Sequence, residues 1–198
     1  MTDTLIVVDV QNDFCPGGAL AVPDGDAVVA PINAEMSKAQ AVILTQDWHP
    51  ADHQSFASNH TGKTPYDTVE MPYGPQILWP DHCLIGSDGA AFHKGLDTAR
   101  ADLIVRKGFR PEIDSYSAFF ENDRETPTGL HGYLQTRGLT TLTLAGLAFD
   151  FCVLYSALDA AKLGYDVTVL DTACRAIDLD GSEAAARDAM REAGVRIA

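Results

Sequence analysis

The chain of 198 residues predicts a three-layer, doubly wound α/β fold, a parallel sheet with helices on both faces. Short apolar runs at 5–10, 41–45, 103–106, 139–144, 167–170 and 195–197 alternate with longer segments of helical spacing. The runs are continuously apolar rather than alternating, as strands buried on both faces are. Several of them end on a charged or reactive residue, at the strand end where open α/β sheets place their ligands.

The first run, LIVVDV, carries Asp9 and opens into a Gly/Pro loop, CPGGALAVPDG. A carboxylate in such a run is costly to bury unless it is paired, so Asp9 either has a partner or only caps the loop. Val28, Val29, Ile32 and Met36 give residues 27–39 helical spacing, and residues 41–45 form the second strand. The loop that follows, TQDWHPADHQSFASNH, holds Asp47, His49 and His53. A carboxylate with imidazoles is a donor set for zinc, iron or manganese, and three protein ligands with one open position make a catalytic site. The plainer reading of D-x-H beside proline is turn chemistry with solvated histidines. His82, in ILWPDHC, lies in another loop rich in proline and aromatics; His60, His93 and His131 have no comparable setting and read as surface or packing residues.

Residues 61–100 show little regular periodicity and many glycines and prolines, so they are expected to be substrate-shaping loop, with Trp79 as its most useful apolar surface. The third strand, 103–106, ends at Lys107 and Gly108. A lysine there either snorkels to water or faces the same crevice as Asp9. Residues 114–122, DSYSAFFEN, are an aromatic-rich loop suited to walling a pocket or to core packing; 129–137 reads as helix. The stretch TTLTLAGLAFDFCVLYSALDAAKLG is strand, turn and helix, with Asp150 expected as the helix cap and Cys152 in the first helical turn, where free N–H groups and the helix dipole favour a thiolate. A cysteine among Phe151, Val153 and Leu154 can equally be a small buried hydrophobe. The fifth strand, a helix over 182–193 and a short last strand complete one domain spanning 1–198.

Composition narrows the function classes. Hydrophobic residues at 46% and charged residues at 21% fit a globular chain, and no apolar run approaches the roughly 20 residues of a membrane helix. A net charge of −14 argues against nucleic acid as a partner. Four scattered cysteines without a C-x-x-C pair suit reduced thiols, and the amino-terminal sequence lacks the pattern of a secretory signal, so a cytoplasmic location is expected. No G-x-G-x-x-G follows the first strand, which argues against a dinucleotide-binding oxidoreductase. Oligomeric state stays open, a homo-oligomer included.

VDVQNDF-C-x-G-G-x-L, DWHPADHQSF, WPDHC, KG before DSYSAF, and GLAFDFCV before a helix occur here in one order. Together they resemble the nicotinamidase branch of the isochorismatase-like cysteine hydrolase superfamily. The resemblance implies a six-stranded parallel sheet, a catalytic trio of Asp9, Lys107 and Cys152, and a divalent metal, Zn2+ first with Fe2+ or Mn2+ as alternatives, held by Asp47, His49 and His82 with His53 as a further ligand. It implies that Phe14 and Trp79 sandwich a flat ring, that Tyr116 borders it, and that Ala148 follows a cis peptide and shares an oxyanion site with Cys152. Deamidation of nicotinamide, and of pyrazinamide, through a thioester is the implied activity. A superfamily amidase for carbamoyl or ureido substrates is the nearest rival, and a non-catalytic binding module that keeps the fold is the rival of another class. Phe149 and Phe151 stand where related enzymes often carry polar residues, which puts hydrogen bonding behind the nucleophile and substrate breadth in question.

Overall fold

A computed structural model describes residues 4–198. Its main sheet has six parallel strands in the order β5-β2-β1-β6-β7-β8: β1 Thr4–Val8, β2 Ala41–Asp47, β5 Leu103–Lys107, β6 Thr141–Leu147, β7 Asp166–Arg175 and β8 Arg196–Ile197. A separate hairpin, β3 Thr68–Met71 with β4 Gly74–Ile77, lies between β2 and β5 in the chain. The helices are α1 Val29–Met36, α2 Leu130–Arg137, α3 Leu154–Lys162 and α4 Ser182–Glu192.

Alternation along the strands builds the layers. In β1, Ile6 and Val8 point into a cluster with Leu130 and Leu134 of α2, Ala157 and Ala160 of α3 and Met190 of α4, whereas Leu5 and Val7 join Val29, Ile32 and Met36 of α1 on the other side. Both faces of β1 are thereby covered, which is why the run reads as continuously apolar. The strand order reverses between β1 and β6, and a crevice opens there beyond their carboxyl ends. Gly146 has φ +124°, and a Cβ there would stand 2.1 Å from the Val8 carbonyl oxygen, so glycine lets the two strands approach at the reversal.

The predicted elements stand, with informative differences. The first helix is shorter than 27–39, because a 3-10 turn over Gly25–Val28 precedes it. The fifth strand runs on to Arg175. The hairpin went unread because its half-exposed four-residue strands, one carrying Pro75, give too short a pattern. Asp150 does not cap α3: its carboxylate accepts from the N–H groups of Ile177 and Asp178, at 3.0 and 2.8 Å, and from the Ser182 hydroxyl. It therefore ties the turn after β6 to the loop after β7. A single π-helical turn, Phe149–Val153, leads into α3 and carries Cys152. Among the described residues no helix is long and apolar enough to cross a membrane.

Candidate active site

Three strands of the main sheet deliver the first cluster. Asp9 follows β1, with φ 49°, Lys107 ends β5 and Cys152 sits on the π-turn after β6. The Lys107 ammonium lies 2.9 Å from Asp9 Oδ2 and 3.5 Å from Cys152 Sγ, donates to the Ser115 carbonyl at 2.7 Å, and pairs closely with Asp47 Oδ1. One ligand atom each of Asp9, Asp47 and Cys152 lies within 4.8 Å of the others. The Thr45 hydroxyl donates to Asp9 Oδ1 at 2.6 Å and accepts from the Asp9 N–H at 3.2 Å. All of these groups are buried, so their charges act on one another with little screening.

Burial, with the negative charge of Asp47, raises Asp9 from 3.8 to about 6, against the pull of Lys107 and Thr45. Burial would lift Asp47 as well, but the Lys107 ammonium, helped by His49 and His82, holds it below the usual carboxylate range. Burial disfavours the Lys107 ammonium; two carboxylates reverse that and raise it well above its ordinary value. The Cys152 thiol is raised well above 9.0, first by burial; Lys107 pulls against that, while Asp9 and Asp47 add to the rise. Here the structure corrects the expectation of a resting thiolate: a helix-end field and one ammonium do not offset desolvation beside two carboxylates. The cluster holds a neutral thiol beside a carboxylate whose proton affinity lies near neutrality, and such a pair can pass a proton from sulfur to oxygen on demand.

Imidazoles lie on the far side of Asp47. Ligand atoms of Asp47, His49 and His82 fall within 4.8 Å of one another, and those of His49, His53 and Asp114 form a second such group. The Nδ1 atoms of His49 and His82 meet the carbonyls of Gly108 and Pro80, each at 2.7 Å. A carbonyl can only accept, so these Nδ1 atoms carry the hydrogen and the Nε2 atoms are left for another partner. His53 Nδ1 lies 2.7 Å from the Ser55 hydroxyl, and its buried Nε2 has no hydrogen-bond partner among the described residues. Burial, then His49, lowers His53 and His82 to about 4, so both are neutral bases at pH 7. In His49 burial is overridden by the bond to Asp47, which raises it. The neutral imidazoles of His53 and His82, one ionised carboxylate and an orphaned buried nitrogen fit a divalent cation of the N/O-binding kind. Gly108 is required in this wall, since at φ +66° a Cβ would stand 2.3 Å from His49 Cε1.

The two clusters open on one cavity lined by Phe14, Leu20, Asp47, Trp79, His82, Asp114, Tyr116, Ala148, Phe151, Cys152 and Ile177. Phe14, Trp79, Tyr116 and Ala148, singled out from the sequence, all face it. The Leu147–Ala148 peptide is cis, as the resemblance implies. His53 groups with Asp114 rather than with Asp47 and His82. His60, His93 and His131 stay outside: His60 bonds the Gln54 carbonyl at 2.8 Å, His93 Nδ1 takes the Gly95 N–H at 3.1 Å, and His131 bonds the Tyr165 hydroxyl at 2.8 Å.

Sequence reasoning missed Thr45, Gln76 and Asp114. Asp114 opens the quoted DSYSAF motif, and its neighbour Tyr116 was the available signal. Thr45 and Gln76 are ordinary polar residues whose roles arise only from contacts across the fold.

Comparison with known proteins gives one consistent result. The model of the isochorismatase domain matches residues 3–198. The nicotinamidase of Acinetobacter baylyi is 53% identical over 192 residues, which cover 97% of this chain and 90% of that protein. A solved structure of an Acinetobacter baumanii nicotinamidase and pyrazinamidase superposes with a TM-score of 0.97 at 51% identity, covering 99% of this chain and 95% of that one. The pyrazinamidase of Pyrococcus horikoshii in complex with zinc superposes with a TM-score of 0.80 at 32% identity, covering 100% and 99%.

Proposed function

The chain belongs to the isochorismatase family, and from that premise we propose that it is a cysteine amidohydrolase converting nicotinamide and water to nicotinate and ammonia, with pyrazinamide as an analogue substrate. The observation that carries the reading is the Lys107 ammonium, 2.9 Å from Asp9 and 3.5 Å from Cys152, on an aromatic-lined cavity that the imidazole cluster shares.

Asp9 accepts the Cys152 proton as the sulfur forms its bond to the carboxamide carbon, and Lys107 offsets the negative charge while it is shared between sulfur and carboxylate. The N–H groups of Ala148 and Cys152 receive the charge that develops on the amide oxygen. Asp9 returns its proton to the departing nitrogen, so ammonia leaves and a thioester to Cys152 remains. Water, giving a proton to Asp9, then attacks the thioester carbon; the carbon–sulfur bond breaks, Asp9 returns that proton to the sulfur, and nicotinic acid departs and loses its own proton to solvent as nicotinate. Phe14 and Trp79 hold the flat ring between them while Tyr116 borders it. Asp47, His49 and His82 are the ligands for a divalent cation, zinc first, with His53 as a further ligand from the Asp114 side. A cation bound there supplies a positive anchor for the ring nitrogen, a positioning task.

One match from residue 3 to residue 198 and one continuous main sheet support a single working domain. The four cysteines are unpaired, which suits a reducing compartment such as the cytoplasm. Side-by-side assays of ammonia release from nicotinamide, pyrazinamide and N-carbamoyl compounds test the proposal. Turnover of the two ring carboxamides and not of the carbamoyl compounds is expected. No turnover of nicotinamide overturns it.

A further inference from the structure

The hairpin β3–β4 stands apart from the main sheet, and of its eight strand residues only Gln76 is buried. An amide is an expensive residue to enclose unless its donors and acceptors are used. Here they are. Gln76 Nε2 donates toward Asp114 Oδ2 at 2.8 Å, the Tyr116 hydroxyl oxygen at 3.0 Å and the Ile77 carbonyl at 2.7 Å. Gln76 Oε1 accepts from the Tyr73 hydroxyl at 3.1 Å and from Asn122 Nδ2 at 3.3 Å.

Two of its partners, Asp114 and Tyr116, both line the cavity. Asp114 places a carboxylate oxygen within 4.8 Å of ligand atoms of His49 and His53. The Tyr116 hydroxyl also accepts the Trp79 Nε1–H, at 3.1 Å. That bond holds Trp79 edge-on to Tyr116, with centroids 6.2 Å apart and planes at 81°. A single amide thus connects the aromatic wall to the imidazole wall from behind both of them.

We propose that Gln76 is a positioning residue for the aromatic ring of the substrate: by holding Asp114 and Tyr116 together it sets the spacing between the ring-clamping wall and the imidazole wall. The inference rests on the nicotinamidase reading and deepens it. An apolar side chain of equal size would fill the same space, so packing alone does not call for an amide. None of the Gln76 hydrogen bonds goes to Asp9, Lys107 or Cys152, so its influence is expected on binding rather than on the chemical step.

Gln76→Met keeps the length of the side chain and removes every one of these bonds. KM for nicotinamide is expected to rise about tenfold, the loss expected when a hydrogen bond to a charged group goes, with kcat within about twofold. The rate at which iodoacetamide alkylates Cys152, read by mass spectrometry, is expected to match wild type, because that small reagent does not need the ring slot. An unchanged KM overturns the proposal, and so does a parallel fall in kcat and alkylation rate, which marks a merely structural role. Should Gln76→Met fail to fold, Tyr73→Phe decides: Tyr73 lies outside the cavity lining and reaches it through Gln76 and the Asp114 N–H. There KM is expected to rise about threefold at constant kcat, as for one weaker hydrogen bond, and an unchanged KM overturns the proposal. Wild-type protein inert toward nicotinamide removes the functional reading itself, whereas active wild type with unaltered variants removes only the part given to Gln76.

Discussion

The carboxyl ends of β1 and β2 make an instructive pair. Each presents an aspartate, both are buried, and both pair with the single ammonium of Lys107, yet Asp9 is raised to about 6 while Asp47 is held below the usual carboxylate range. Burial is common to the two and cannot separate them. Asp47 has Lys107 on one oxygen and the imidazole of His49 at 3.7 Å from the other, whereas Asp9 has Lys107, a threonine hydroxyl and the negative charge of Asp47 itself. The order of charges across the crevice decides which carboxylate is raised and which is lowered, and so which of them suits the proposed proton transfer and which the proposed cation. One residue type thus takes two opposite shifts a few ångströms apart.

Removing the sulfur is the harshest way to break the pair's purpose. Cys152→Ala should lower turnover by about 10⁴-fold or more while both aspartates, the fold and the bound metal persist, as checked by ammonia release, circular dichroism and elemental analysis. Retained activity would detach the whole crevice from catalysis.

Neutralising each carboxylate in turn sharpens the contrast. Asp9→Asn should cost about 10³-fold in kcat with metal content unchanged, the range expected for a lost general base. Asp47→Asn should instead lose metal, with affinity falling at least about tenfold, and raise KM. Kinetics and metal analysis on the two proteins check this, and identical phenotypes would erase the distinction.

The gentlest test leaves the sequence alone. Asp9 must be unprotonated to receive the thiol proton, and its proton affinity is centred at about 6. The logarithm of kcat/KM should therefore rise with slope near one below about pH 6 and flatten above it. Asp47 adds no inflection there, because it stays ionised to lower pH. A profile flat down to pH 5 would assign the proton transfer elsewhere.

Much of this was legible in the chain, for a local reason. A strand buried on two faces must be apolar throughout, so Leu5 to Val8 announced a central strand and marked Asp9 at its end as anomalous. Lys107 at the end of the third run and Cys152 at the strand-to-helix turn each kept a plainer reading beside the chemical one, as did the Asp47, His49 and His53 spacing, until the five motifs were taken together. The hairpin was not legible: four-residue strands with half-exposed side chains carry no clear period, and the cavity-lining partners of Gln76 lie 38 and 40 positions away.

The sequence by itself determined the layers of the fold, the strand ends that carry chemistry and the residue types gathered there, because hydrophobic period and residue identity are properties of short segments. The tertiary structure alone decided the direction of each proton affinity, with Asp9 and Cys152 raised and Asp47 lowered. It also decided that Asp150 ties two loops together instead of capping α3. Desolvation and Coulomb interaction depend on distances between groups far apart in the chain, and those distances exist only once the chain has folded.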